Sequence, residues 1–328
     1  MVLVPFREAG HVVDAFLSLL KKHSINPPVG SQLEDELLSV THLLDVAKDP
    51  SVAVGSKPSE VLCSAAGMYD LAAKILSCRE FPEFERYLPH LRLIAKTGVP
   101  NARLGQNSKS FDDTARKIAE LYLACPVGHL GTEVELDDPD SGGGGDNPDV
   151  MFVLDEMEPP RRRKWALAVK TISSRAGQTI FERIADGAGQ IDDERCSAEI
   201  GMVVINTKNA LRHDLFWETE WADVDAAKDT LTKELRDLAE ASNKDRPASE
   251  WHKVFSGKTV RPVLFLGQTV VRLDTPFSAE TPTPLKMLFA YDALGEYCPT
   301  ALGLVVEMNK LMQTIVQGKP GGNGYMPS

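Results

Sequence analysis

Two short segments decide the predicted fold: DVMFVL at residues 149–154 and KWALAVKT at residues 164–171. Both are apolar and rich in residues that favour β-strands. The charged stretch between them contains Pro159-Pro160, so we predict that the two strands form a hairpin.

The flanking segments extend this pattern. We predict a helix at residues 111–124, a strand at 132–136, a helix from about 175 to 187 capped by Ser173-Ser174, and a buried strand at 200–206. The order is helix, three strands, helix, strand, which indicates an α/β core with helices on a mixed sheet. A helix at 221–241, strands at 260–266 and 287–291, and a closing helix at 299–316 are predicted beyond it.

The first hundred residues have helical periodicity and carry no recognisable chemistry. We therefore predict three parts: a helical accessory domain at 1–107, a core with C-terminal additions at 108–317, and a disordered tail at 318–328. The glycines from Gly142 to Gly145 predict a flexible loop within the core.

Composition narrows the class of protein. The chain has 328 residues, 43% hydrophobic and 25% charged, with a net charge of −11. We find no signal peptide and no apolar run of the ~18 residues that span a bilayer, so we expect no membrane partner. Five scattered cysteines predict a reduced, cytoplasmic protein. The net negative charge argues against nucleic-acid binding over the whole protein surface. Any such binding would have to involve local basic clusters.

Side chains alternate across a strand, so Ala166, Ala168 and Lys170 share one face of the second hairpin strand. A lysine that ends an apolar strand is costly to bury without a partner, and Asp149 is the natural one. A carboxylate that holds a divalent cation beside an ammonium group is the chemistry of metal-dependent nucleases. A salt bridge at the sheet edge explains the same two residues.

Seven motifs occur in uninterrupted order: AELYLA at 119–124, EVE at 133–135, PDV at 148–150, WALAVKT at 165–171, TIFERI at 179–184, GQI at 189–191 and GMVVIN at 201–206. Together they resemble the PD-(D/E)XK nuclease superfamily, which has a restriction-endonuclease-like fold. The resemblance covers roughly residues 108–210.

The resemblance implies a role for each matching position. Asp149 corresponds to the metal-binding acid, Lys170 to the lysine that orients water or stabilises phosphorane charge, and the Val169 carbonyl to a further metal ligand. Glu120 corresponds to an acid on the first core helix that serves as an additional ligand or base, and Gln190 to a polar group near the site. The implied cofactor is Mg²⁺ or Mn²⁺.

Position 168 departs from the family pattern, because it holds alanine where the resemblance implies Glu or Asp. Three explanations are open. The acid has been replaced by an inactivating substitution, it has migrated to another position such as Glu120, or the domain is a degenerate nuclease that binds without cutting.

The run Arg161-Arg162-Arg163-Lys164 precedes the lysine strand. We interpret it either as a phosphate-binding cluster or as a solvated hairpin tip, and the sequence favours neither.

The leading hypothesis is a Mg²⁺-dependent endonuclease that hydrolyses DNA phosphodiesters, as a restriction or phage-defence enzyme. The alternative is a non-catalytic module of the same fold that binds nucleic acid or a protein partner. DNA is the expected partner, with RNA as a second substrate class and homodimerisation left open. We expect Asp149, Lys170 and Glu120 to converge in a shallow site that solvent can reach.

Overall fold

The computed structural model describes residues 9–49, 51, 58–96, 113–139, 147–157, 160–273, 282–315 and 318. The predicted domain boundary at 107/108 and the Gly142–Gly145 loop lie outside these residues. So does the predicted tail, apart from Gly318, which is buried. None of the helices in the described ranges is both long enough and apolar enough to cross a membrane.

The N-terminal region is helical, as predicted. It contains α1 (Ala9–Lys22), α2 (Gln32–Lys48), α3 (Pro58–Ser77), a 3-10 turn (Phe84–Tyr87) and α4 (Leu88–Lys96). Ser31 caps α2, because its hydroxyl oxygen accepts a hydrogen bond from the backbone N–H of Glu34.

The remaining elements follow the predicted order. They are α5 (Asp113–Leu130), β1 (Thr132–Leu136), β2 (Val150–Met157), β3 (Pro160–Thr171), α6 (Gly177–Asp192), β4 (Ile200–Asn206), α7 (His213–Trp217), β5 (Glu220–Trp221), α8 (Val224–Asn243), α9 (Ala248–Val254), β6 (Val263–Leu273), β7 (Pro282–Tyr291) and α10 (Pro299–Thr314). The chain is therefore an α/β protein with a mixed sheet flanked by helices.

The seven strands found in the described ranges form one sheet in the order β1-β2-β3-β4-β6-β5, and β7 pairs with the other side of β6. β1, β2 and β3 are antiparallel neighbours, whereas β3, β4 and β6 run parallel. Every residue of β4 is buried, which is typical of a central parallel strand covered on both faces.

The two faces of the sheet pack into different cores. Trp165, Leu167 and Val169 belong to a cluster that includes residues of α1–α5 and α10. Ala166 and Ala168 belong to a second cluster with α6 and α8. The predicted alternation along β3 is therefore confirmed. The N-terminal helices share the first cluster with the sheet, so their apolar faces pack in the same core as the strands.

The start of α6 differs from the prediction. No serine caps this helix: the N-cap is Ala176, without a side-chain hydrogen bond, and Ser174 Oγ instead accepts from the N–H of Ala176. A Cβ at Gly177 would lie 1.9 Å from the carbonyl oxygen of Ala241, so only glycine permits this approach to α8. Close packing between two helices, rather than a local cap, sets where α6 begins.

Candidate active site

Asp149 lies immediately before β2, at the end of the β2–β3 ladder. Val150 pairs with Leu167, so the next position places Asp149 opposite Ala168. The Asp149 side chain is only 2% exposed, and its Oδ2 accepts a hydrogen bond of 2.6 Å from the backbone N–H of Val169. The main chain of β3 thus orients this carboxyl group.

Glu120 reaches the same place from α5 and is fully buried. Its carboxyl group lies in hydrogen-bonding contact with that of Asp149. Burial, and then the neighbouring Glu120, raise the pKa of Asp149 to about 8, against the opposing effect of Lys170. Burial also raises the pKa of Glu120, although Lys117 opposes that shift. Two like groups this close cannot both ionise without a cation or a shared proton.

The two carboxylate oxygens of Glu120 have different contacts. Oε2 lies 2.9 Å from Lys117 Nζ and 3.3 Å from His90 Nε2. Oε1 is buried and accepts no hydrogen bond from any described residue, since Arg116 Nε lies 3.2 Å away in a poor direction. Carboxylate oxygens are ligands of Mg²⁺ and Mn²⁺. In the structure the two oxygens of Glu120 lie beside basic side chains, Lys117 at Oε2 and Arg116 near Oε1. The implied metal therefore stays a prediction.

Lys170 lies near the end of β3, on the face of the strand that packs against α6. Its ammonium group donates a 2.5 Å hydrogen bond to Gln190 Oε1, and it interacts electrostatically with Asp149 without a direct ion pair. Burial is the main cause that lowers the pKa of Lys170, and repulsion by Arg116 adds to it. Gln190 thus holds the Lys170 amine in a position where it interacts electrostatically with Asp149.

Val169 contributes its main chain. Within an antiparallel pair, one residue's N–H and carbonyl point toward the same neighbouring strand. Since the N–H of Val169 meets Asp149, the Val169 carbonyl lies on that side of β3 too. It can serve as a neutral oxygen ligand there.

The expectation of a solvent-reachable site is wrong for the two acids. Asp149 and Glu120 are buried, whereas Lys170 and Gln190 are partly exposed. Ala168 is also fully buried, packed with the apolar residues of α6 and β4. Among the described residues, no group of three or more acidic, histidine or cysteine side chains has the arrangement of a metal site. The site holds two carboxyl groups and, opposite Asp149, an alanine.

Sequence analysis overlooked two buried residues beside Glu120, Lys117 and His90. Lys117 Nζ lies 2.9 Å from an oxygen of Glu120 and 2.9 Å from Asp137 Oδ2. His90, from α4, is 1% exposed, and burial followed by the charge of Lys117 lowers its pKa to about 4. Only the position of Lys117, one helical turn before Glu120, signalled this contact in the sequence.

The basic run 161–164 is paired with carboxylates throughout. Arg161 contacts Glu199, Arg162 contacts Glu133, Arg163 contacts Glu156, and Lys164 contacts Glu135. The Arg161 and Arg162 side chains remain 54% and 59% exposed, against 19% for Arg163. Phosphate contact by this run stays a prediction, and it requires the exposed arginines to exchange a carboxylate for a phosphate.

Arg163 should differ from its neighbours in stability. It binds both oxygens of buried Glu156, which also accepts a 2.9 Å hydrogen bond from Trp165 Nε1. We expect Arg163→Ala to cost about 1–3 kcal/mol, since it leaves a buried carboxylate short of a donor. Arg161→Ala, an exposed pair, should cost less than about 1 kcal/mol. Urea unfolding measures both, and equal costs would contradict the distinction.

The exposed arginines supply a separate test of DNA contact. If the run contacts phosphates, replacing Arg161 and Arg162 together by glutamine should weaken DNA binding equally for all sequences. It should also flatten the slope of log affinity against log salt by roughly two units, about 0.9 for each lost phosphate contact. Fluorescence anisotropy across a salt series measures both. An unchanged slope would remove this run from the binding surface.

Comparison of the chain with models of protein families, with characterised proteins and with solved structures gives no match. The family resemblance therefore stays a prediction from the seven motifs between residues 119 and 206.

Proposed function

We propose that the chain is a metal-dependent nuclease of the restriction-endonuclease-like fold, acting on DNA phosphodiester bonds. One observation carries the proposal: Asp149 and Glu120, 29 positions apart in sequence, meet as two buried carboxyl groups, and the Lys170 amine, held by Gln190, interacts electrostatically with Asp149. An acid whose pKa is strongly raised, beside a lysine, is characteristic of functional sites.

The order of the elements that carry these residues supports the proposal. α5 provides Glu120, the hairpin of β2 and β3 provides Asp149 and Lys170, and α6 provides Gln190. These elements follow the helix, three strands, helix, strand order to which the motifs were assigned.

In this mechanism Asp149, Glu120 and the Val169 carbonyl would hold the cation. When bound, a divalent cation lowers the pKa of a coordinated water and so supplies hydroxide near neutral pH. Lys170, held by Gln190, orients the attacking water and offsets the negative charge that develops on the phosphorane. Its lowered pKa follows from burial, and Asp149 keeps the ammonium form available. The N–H of Val169 fixes the Asp149 carboxyl group in one orientation.

A non-cleaving module is the second candidate, favoured by buried Ala168. With alanine opposite Asp149, the acids supply fewer ligands than the family pattern implies, and a hard cation keeps most of its water. Such a module would use the same binding surface but would not cleave DNA.

Plasmid nicking in Mg²⁺ or Mn²⁺ tests the proposal, with Lys170→Met as the matched variant because it keeps the chain length without the charge. We expect nicking that requires the metal, stops with chelator and falls in Lys170→Met. Binding of DNA without nicking, in the parent chain and in a variant with the acid restored at position 168, would favour the second candidate.

A further inference from the structure

The edge of the sheet at which β3 and β4 end carries basic side chains from three elements. Lys170 lies near the carboxyl end of β3 and pairs with Ile205 of the parallel strand β4. In open α/β sheets, ligands bind in the crevice outside the carboxyl ends of the parallel strands. Lys170 is partly exposed and interacts electrostatically with two arginines, Arg116 of α5 and Arg183 of α6. These helices pack on opposite faces of the sheet, so the three cations lie across its edge.

Arg183 approaches this edge from α6. It lies one helical turn before Gly187, where the helix comes so close to the sheet that an added Cβ would lie 3.5 Å from Lys170 Cγ. The Arg183 side chain is 53% exposed, and its 3.2 Å ion pair with Asp186 is exposed as well. Exposed pairs contribute little free energy, so Arg183 can exchange its carboxylate partner for another anion.

Arg116 lies at the boundary between the buried acids and solvent. Its side chain is 31% exposed, and its Nε lies 3.2 Å from Glu120 Oε1. This Nε is buried and has no hydrogen-bond partner in the part of the chain that the structure describes. Arg116 thus faces Glu120 as a charge without a hydrogen bond from Nε. A guanidinium group binds phosphate through two parallel N–H···O bonds, so an anion that enters from the solvent side suits this arginine.

The hairpin run 161–164 differs from this edge in two respects. Each of its basic side chains has a carboxylate partner of its own. Lys170 also lies seven residues after Arg163, which at about 3.3 Å per residue is about 23 Å along the strand. Phosphate groups bound beside Lys170 are therefore closer to Arg116 and Arg183 than to the hairpin run.

We infer that Arg116 and Arg183 form a phosphate clamp on either side of Lys170, and that a DNA strand crosses the sheet edge from the face covered by α5 to the face covered by α6. Each arginine binds a phosphate group, and Lys170 lies between them. The inference deepens the proposed function and rests on it for the choice of DNA. It requires no metal ion, because guanidinium groups bind phosphate directly.

The test is binding of a fluorescein-labelled DNA duplex to the full-length chain in chelator, followed by anisotropy across a salt series. Arg116→Gln and Arg183→Gln should each weaken binding about tenfold, because each removes a hydrogen-bonded charge pair. Each should also flatten the slope of log affinity against log salt by about 0.9, and the two changes should add in the double variant. Arg195→Gln is the matched control, because it removes an exposed arginine paired with Asp193 beyond the other end of α6. It should change neither quantity.

An unchanged slope in either single variant, an equal change in Arg195→Gln, or no DNA binding by the parent chain would overturn the inference. Arg116 lies beside buried Glu120, so Arg116→Lys is the second variant if Arg116→Gln does not fold. Its slope should hold because the charge is kept, and its affinity should fall because lysine lacks the planar pair of donors. Unchanged affinity of Arg116→Lys would contradict the clamp. Binding is measured in chelator, so a failure to nick DNA would remove the nuclease proposal and leave the clamp standing.

Discussion

Ala168→Glu should raise metal-dependent DNA nicking by about two to three orders of magnitude, because a bound metal ion contributes several kcal/mol of transition-state stabilisation and the added carboxylate would strengthen its binding. Position 168 lies opposite Asp149 and two residues before Lys170 on the same face of β3. Directly opposed residues in antiparallel strands have Cβ atoms about 4.5–5.5 Å apart, so a carboxylate at position 168 would lie within reach of a cation held by Asp149.

The substitution also has a structural cost. Ala168 is fully buried against α6 and β4, and a larger side chain in a packed core typically costs about 1–3 kcal/mol. A third acid beside two buried ones adds repulsion when no cation is bound. We therefore expect Ala168→Glu to be less stable than the parent in chelator and to recover in Mg²⁺.

Ala168→Gln is the matched control, because it has the same size without the charge. It should show the packing cost and neither the gain in nicking nor the recovery in Mg²⁺. If Ala168→Glu and Ala168→Gln nick equally slowly in both Mg²⁺ and Mn²⁺, position 168 does not complete a metal site.

Asp149→Asn should stabilise the fold while it removes activity. The folded protein holds Asp149 protonated up to about pH 8, whereas the unfolded chain releases that proton near the ordinary value of 3.8. Stability from this group is therefore complete below pH 3.8 and is lost as the pH rises through about 8. Asparagine mimics the protonated acid at every pH, so above pH 8 the variant should be about 1–3 kcal/mol more stable than the parent.

The nicking activity of Asp149→Asn should fall, although its stability rises. Asparagine cannot supply the charge that holds a divalent cation, so nicking should fall by about two to three orders of magnitude, measured in the Ala168→Glu background. Asp155→Asn, on the exposed part of β2, is the control and should change neither quantity. Urea unfolding at pH 5 and pH 9 measures the first effect. A variant less stable than the parent at pH 9 would mean that Asp149 is ionised and paired in the fold.

Local pattern in the sequence was sufficient to predict most elements of the core. β1 and β4 have the predicted bounds, and the division of β3 into a face with Trp165 and a face with Ala168 is as expected. These features depend on the two-residue period of a strand and on runs of apolar residues, which neighbouring positions alone define. The strand pattern also predicted Asp149 as the partner of Lys170, whereas Glu120 was predicted only through the family resemblance.

Tertiary structure decided the ionisation of the site. Sequence alone predicted an exposed carboxylate at Asp149, whereas burial and the approach of Glu120 favour a protonated group at neutral pH. Desolvation depends on everything packed around the group, so no local pattern predicts it. The contacts of Lys117 with Asp137 and of Glu120 with His90 have the same origin, since they join separate elements.

The basic run 161–164 also combines a property that the sequence shows with contacts that only the tertiary structure shows. Its charge was evident in the sequence, but its carboxylate partners Glu133, Glu135 and Glu199 come from neighbouring strands and from the loop before β4. Residues distant in sequence become neighbours only when the sheet forms. The sequence by itself thus determined which residues could carry the chemistry, and the fold decided their charge and their partners, because both depend on contacts and burial that arise only on folding.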